Sequence, residues 1–141
     1  MASNGSPRIL VVDDEADINH ALKVGLQQKG FQVDTQNDPT EALAEFRAGV
    51  YDIAILDMRM PKMDGFSLFR QIRKIDHNVH VCFFTAFDVY EKEFRNVFPD
   101  MRVDAFLKKP MTVTEIEARL KLILKDGQAN GIDATLHSTS R

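Results

Sequence analysis

Residues 52–65 read Asp-Ile-Ala-Ile-Leu-Asp-Met-Arg-Met-Pro-Lys-Met-Asp-Gly. Ile53, Ala54, Ile55 and Leu56 form a short apolar run with β-branched members. A run of that length between polar residues reads as a strand buried on both faces. It ends on a carboxylate, Asp57, and Pro61 and Asp64-Gly65 beyond it signal a loop and turn. Open α/β sheets place their ligand chemistry at the carboxyl ends of parallel strands. A lone Asp after a strand is more commonly a cap or turn residue. What decides the matter is whether other residues converge on Asp57.

Outward from this stretch, the same pattern recurs. Residues 9–12 are an apolar, β-branched run ending on Asp13-Asp14-Glu15. Ile18, Leu22 and Leu26 then recur at helical spacing, and Gly30 stands where a left-handed cap is wanted. Residues 31–35 alternate around Phe31 and Val33, which predicts an edge strand. Asp38-Pro39-Thr40-Glu41 is a helix start, Ala42, Leu43 and Phe46 supply that helix's inner face, and Gly49 is expected to stop it. A third helix is expected from near Asp64, burying Phe66, Phe69 and Ile72 with Leu68 and Ile75 adjacent. Residues 79–84 are a fourth strand running into Thr85-Ala86, and Asp88 with Glu91 starts a helix ending before Pro99. Residues 103–107 form a shorter fifth strand that meets Lys108-Lys109-Pro110. Thr112 with Glu115 opens the last helix, striped by Val113, Ile116, Leu120, Ile123 and Leu124.

Five strands alternating with five helices predict a parallel sheet with right-handed crossovers and helices on both faces. The expected organisation is a tail at 1–7, one domain at 8–125 and a tail at 126–141 rich in Gly, Asp, Ser and Thr. A chain of 141 residues buries about 70% of its unfolded surface and needs no disulfide. Its net charge of −3, without a basic stripe, argues against direct nucleic-acid binding. The single cysteine, Cys82, lies in an apolar run, which suits a buried thiol in a reducing cytosol. There is no run of membrane-spanning length and no signal-peptide core, so a cytoplasmic protein without a membrane partner is expected. His20, His77, His80 and His137 are scattered and read as solvated or partly packed, and Met58, Met60 and Met63 as gap-fillers.

In such a sheet Asp13, Asp14, Asp57, Thr85 and Lys109 all project from one edge. Carboxylates crowded together raise one another's pKa unless a cation joins them. An all-oxygen ligand set without His or Cys favours Mg²⁺. A carboxylate nucleophile, a divalent cation, a lysine and a hydroxyl donor together describe phosphoryl transfer to an aspartate.

With these residues in this order, the chain resembles the receiver domain of two-component response regulators over roughly residues 8–125. The carriers are Asp13-Asp14, Asp57, Pro61, Asp64-Gly65, Thr85-Ala86 and Lys109-Pro110, each following its own strand. The resemblance implies a single flavodoxin-like (βα)5 domain with strand order 2-1-3-4-5. It implies that Asp57 accepts a phosphoryl group from a histidine kinase or phosphotransfer protein. Asp13 and Asp14 would bind Mg²⁺ with Asp57 and the backbone carbonyl of Arg59. Lys109 would pair with Asp57 and then the phosphoryl group, Thr85 and Phe106 would be the switch pair, and Lys109–Pro110 would be cis. The output would be a protein-interaction surface on helix four, strand five and helix five, meeting a downstream target or a second receiver. Such a switch catalyses only its own phosphorylation and dephosphorylation.

Three departures from the family pattern stand out. Arg59 and Phe87 are large where the path of attacking water runs, so slow dephosphorylation is expected; the alternative is that Arg59 pairs with Asp13 or Asp14 before phosphorylation. Phe106 lacks the hydroxyl of a tyrosine switch. Arg102-Val103 replaces a small Gly-Ala pair before strand five. Three rival readings stand against the switch, of which a nucleotide- or flavin-binding doubly wound protein would want a glycine-rich or hydroxyl-rich loop after strand one, where this chain has Asp13-Asp14-Glu15. An aspartate-nucleophile phosphatase would want a second carboxylate two residues past the nucleophile, where this chain has Arg59. A receiver-like interaction module without phosphorylation would not need Asp14, Asp57, Thr85 and Lys109 together.

Overall fold

A computed structural model of the chain describes residues 5–86 and 89–125, the side chains of 89–91 excepted. The sequence readings at Phe87, at the Asp88 helix start and over 126–141 lie outside the described residues. The element order is β1 (Arg8–Val12), α1 (Ala16–Gln28), β2 (Gln32–Gln36), α2 (Pro39–Glu45), β3 (Ile53–Asp57), α3 (Gly65–Ile75), β4 (His80–Thr85), α4 (Val89–Val97) and β5 (Ala105–Lys108). A fifth helix, α5, occupies 113–125. The strands pair in parallel in the order β2-β1-β3-β4-β5, a doubly wound, flavodoxin-like sheet.

Alternation along each central strand divides the core in two. Leu10, Val12, Ala54, Leu56, Val81 and Phe83 pack with Ala42, Leu68, Phe69, Ile72 and Phe94, under α2, α3 and α4. Their neighbours Ile9, Val11, Ile53, Ile55, Cys82 and Phe84 pack with Leu22, Leu26, Ile116 and Leu120, under α1 and α5. Every residue of β3 is buried, which is why its sequence is unbroken in hydrophobicity up to Asp57. Each fully buried Leu, Ile or Phe contributes about 1.5–3 kcal/mol by leaving water.

The ends of elements depart from the sequence reading for reasons visible in the backbone. At the end of α1, Gly30 has φ +99, its N–H donates to Gln27 and that of Phe31 donates to Leu26. This is the paired bonding of a Schellman cap, and it consumes the Phe31 N–H. The β2 ladder therefore starts one residue later, with Gln32 donating to Pro7. Helix α2 ends at Glu45, short of the expected stop at Gly49, because Phe46 turns extended (φ −66, ψ 136). That turn buries Phe46 and stacks it on Tyr51 at 5.9 Å. In α3 the buried side chains are Leu68, Phe69 and Ile72, while Ile75, expected near the core, is 42% exposed.

A cluster of phenylalanines fastens the other half of the sheet. Phe94 of α4 lies 5.1–5.8 Å from the rings of Phe66, Phe69, Phe83, Phe98 and Phe106. The approach to β5 is tied by arginines in place of small residues. Arg73 donates to the carbonyls of Val79 (2.5 Å) and Arg102 (3.1 Å), and Arg102 donates to Val79 at 3.0 Å. Among the described residues no helix is long and apolar enough to cross a membrane.

Candidate phosphoacceptor site

The β1–β3 register pairs Val12 with Leu56, and the β3–β4 register pairs Asp57 with Phe84. The residues that follow therefore emerge side by side at the carboxyl edge. Asp13 is buried after β1, Asp57 closes β3 and is 7% exposed, and Thr85 is buried at the end of β4. Asp14 is exposed beside them. Carboxylate oxygens of Asp13, Asp14 and Asp57 lie within 4.8 Å of one another.

Lys109 reaches this cluster from the end of β5. Its Nζ stands 3.0 Å from Asp13 Oδ2, 3.7 Å from Asp57 Oδ1 and 3.8 Å from Glu15 Oε2. The ammonium also lies 5.4 Å from the Phe84 ring centroid, a cation–π contact. Its backbone N–H donates to Thr85 at 2.7 Å, and the Lys109–Pro110 peptide bond is cis. Burial opposes the Lys109 charge, but Asp13, Asp57 and Glu15 together hold its pKa above the ordinary value.

Asp57 is less well compensated. Burial is the largest influence on its carboxyl and the Asp13 charge adds to it. Lys109 and the Arg59 N–H, which donates to Oδ1 at 3.4 Å, pull the other way, and the net result is a pKa of about 7. Asp13 Oδ2 is buried, with the Lys109 ammonium 3.0 Å away. A crowded, all-carboxylate donor set with such an oxygen fits a hard divalent cation such as Mg²⁺.

The loop from β3 to α3 completes the rim. Asp64 caps α3 by accepting from the Ser67 N–H at 2.8 Å, and Gly65 donates to the Met58 carbonyl at 2.9 Å. A Cβ on Gly65 would fall against the Asp57 carbonyl oxygen and 2.9 Å from Met58 Cα. The glycine is required by close approach of the Asp57 and Met58 backbone, not by a turn conformation. Arg59 is exposed at this rim, and an open hollow of about 610 Å³ is lined by Met58, Arg59, Met60, Pro61, Asp64 and Phe66.

Phe106, on β5, is half-buried, 5.4 Å from Phe83 and beneath the Arg95 guanidinium at 5.2 Å. Two residues enter the site that the sequence reading did not single out. Asn19 on α1 is buried and donates to the carbonyls of Asp13 (2.8 Å) and Gln36 (3.2 Å), tying β1 and β2 where they end. Its spacing from Leu22 and Leu26 put a polar residue on the buried stripe of α1, which was the available signal. Glu15 donates its backbone N–H to Asp13 Oδ1 at 2.9 Å and holds the outer side of Lys109.

The response regulator receiver domain model matches residues 9–121. The chain belongs to the response regulator receiver family. Relatives include the transcriptional regulatory protein PrrA of Mycobacterium tuberculosis, 36% identical over 120 residues, covering 85% of this chain and 51% of that protein. The chain thus spans about half the length of the curated relatives it matches. Among solved structures, the non-phosphorylated HemR receiver domain of Leptospira biflexa superposes with a TM-score of 0.74 at 29% identity, covering 84% of this chain and 94% of that one. The response regulator TrrA of Thermotoga maritima, in complex with Mg²⁺ and beryllofluoride, superposes with a TM-score of 0.72 at 33% identity, covering 83% and 98%.

Proposed function

We propose that this receiver domain is a cytoplasmic phosphorylation switch whose acceptor is Asp57, served by residues 8–125. The observation that carries the reading is the convergence of Asp13, Asp14 and Asp57 within 4.8 Å, with Lys109 against them. That TrrA was captured with Mg²⁺ and beryllofluoride supports the same chemistry here.

The donor is a histidine kinase or phosphotransfer protein. An Asp57 carboxylate oxygen attacks the phosphorus of a phosphohistidine, forming a P–O bond as the P–N bond breaks, and the imidazole leaves. Asp13, Asp14, Asp57 and the Arg59 carbonyl would hold Mg²⁺, whose charge offsets the carboxylates and the phosphoryl oxygens when it is bound. Lys109 supplies a fixed positive charge to the phosphoryl group. At rest it lies 0.7 Å closer to Asp13 than to Asp57, and it shifts toward Asp57 as phosphoryl charge arrives there. Thr85 offers its hydroxyl to a phosphoryl oxygen and Phe106 moves inward with it, altering the surface of α4, β5 and α5. That surface would meet a downstream protein or a second receiver.

The test is incubation with acetyl phosphate or beryllofluoride and Mg²⁺, with Asp57→Asn alongside. A Mg²⁺-dependent mass gain of one phosphoryl group from acetyl phosphate, or Mg²⁺-dependent beryllofluoride binding, is expected in the parent chain and neither in the variant. Absence of any modification would favour a receiver-like module that works without phosphorylation.

A further inference from the structure

Lys62 is the one non-glycine residue of positive φ (+73) among the described residues. It lies in the loop between Asp57 and α3, three residues beyond Arg59. Side chains with a Cβ rarely adopt this left-handed region, and lysine has no short polar group to bond its own backbone there, as Asn or Asp would. A contact from outside the loop bears on it. Lys62 Nζ donates to Asp38 Oδ2 at 2.8 Å, across 24 residues of sequence.

Asp38 is itself a fixed point. Its Oδ1 accepts from the Thr40 N–H (2.9 Å), the Thr40 hydroxyl (2.6 Å) and the Glu41 N–H (3.4 Å), which caps α2. Capping takes one carboxylate oxygen and leaves the other for Lys62. The Lys62 ammonium, ahead of the Thr40 hydroxyl, holds the Asp38 carboxyl below the usual range. At its other margins the loop is held by the Arg59 N–H on Asp57, Met63 on Pro61 and Gly65 on Met58. An exposed ion pair does little alone; this one opposes a strained backbone conformation in the loop that rims the acceptor.

We propose that Lys62 and Asp38 form a clamp that references the acceptor loop to α2, making Lys62 a positioning residue for the Arg59 backbone beside Asp57. The inference rests on the phosphoacceptor reading of the site. It assigns the pace of phosphoryl acceptance in part to a contact outside the carboxylate cluster.

Amide hydrogen exchange of residues 59–65 in the metal-free protein tests the clamp directly. Lys62→Ala keeps the strain and removes the ion pair, and exchange is expected to rise by up to about five-fold. Asp38→Asn, which retains a capping oxygen, should do the same. Lys62→Gly removes the strain as well, so its rise should be smaller than that of Lys62→Ala, and Lys62→Arg should match the parent chain. High salt should carry the parent chain toward Lys62→Ala. With acetyl phosphate and Mg²⁺ below saturation, labelling of Asp57 should slow by a similar factor in Lys62→Ala and Asp38→Asn. If the parent chain is labelled but exchange and labelling in Lys62→Ala match it, the clamp is wrong and the phosphoacceptor reading stands. If the parent chain is not labelled at all, both fall.

Discussion

The ammonium of Lys109 stands 3.0 Å from Asp13 and 3.7 Å from Asp57, so it neutralises the Asp13 carboxylate better than that of Asp57. Asp57 is left partly uncompensated in a buried setting, and this is why its carboxyl is pushed up to about 7. The site thus holds electrostatic repulsion that a bound cation can relieve.

Asp57→Asn should therefore stabilise the metal-free domain. The folded pKa of Asp57 lies above its ordinary 3.8, so the group holds its proton more tightly when folded. Its ionisation costs stability progressively as pH rises from about 4 to about 7, and the cost is complete above that window. The variant should be more stable than the parent chain by about 1–2 kcal/mol at pH 8, after allowing for solvent at the open edge. At pH 4 the two should coincide. Urea unfolding across this range, with chelator present, reads the difference.

Mg²⁺ should act in the same direction. A ligand that binds only the folded state stabilises by an amount that grows with its concentration over Kd, about 2.7 kcal/mol at a hundredfold excess. The melting temperature should rise with added Mg²⁺ in the parent chain. Asp13→Asn removes a buried carboxylate from the donor set and should abolish most of that rise, which differential scanning fluorimetry would detect.

Asp104 should be a stability determinant at the opposite edge of the sheet. Its Oδ2 accepts from the Val81 N–H at 2.8 Å and its Oδ1 lies 3.0 Å from His80 Nδ1. Burial works to raise its pKa, but the His80 contact, the Val81 N–H and Arg102 outweigh it and hold the carboxyl below 3.8. Its contribution is present above pH 4 and is lost as pH falls through the lowered folded value. Asp104→Ala leaves the Val81 N–H without this acceptor, and a loss of about 1–3 kcal/mol at pH 7 is expected. Denaturant titrations should show that loss shrinking below pH 4.

The parallel sheet and the site edge are legible in the chain, because each apolar run stops on a polar residue and alternation sorts neighbours such as Ile55 and Leu56 to opposite faces; the strand order came only with the family resemblance. Element ends are less so. The Phe31 N–H is consumed by a helix cap, and Phe46 leaves α2 to reach Tyr51, and neither follows from local propensity. Lys109's preference for Asp13 depends on differences of under 1 Å between strand ends, which no spacing encodes. The Lys62–Asp38 pair needs a left-handed backbone and a contact across two loops, neither of which a pattern of residue types announces.

Gly65 and Gly30 should respond to alanine in different ways. Gly30 has φ +99 with open space around its missing Cβ, so Gly30→Ala meets only backbone strain, about 1 kcal/mol. Gly65 has no positive φ, but its missing Cβ would overlap the Asp57 carbonyl and crowd Met58 Cα at 2.9 Å. Both neighbours are backbone and cannot rotate away, so the chain must shift at Asp57 itself. Gly65→Ala should cost about 1–3 kcal/mol, as overpacking does, and should also slow acetyl phosphate labelling of Asp57. Gly30→Ala should leave labelling unchanged, because the cap of α1 lies at the other end of that helix from Asp13. Equal labelling rates in the two variants would show that Gly65 serves only to end the loop.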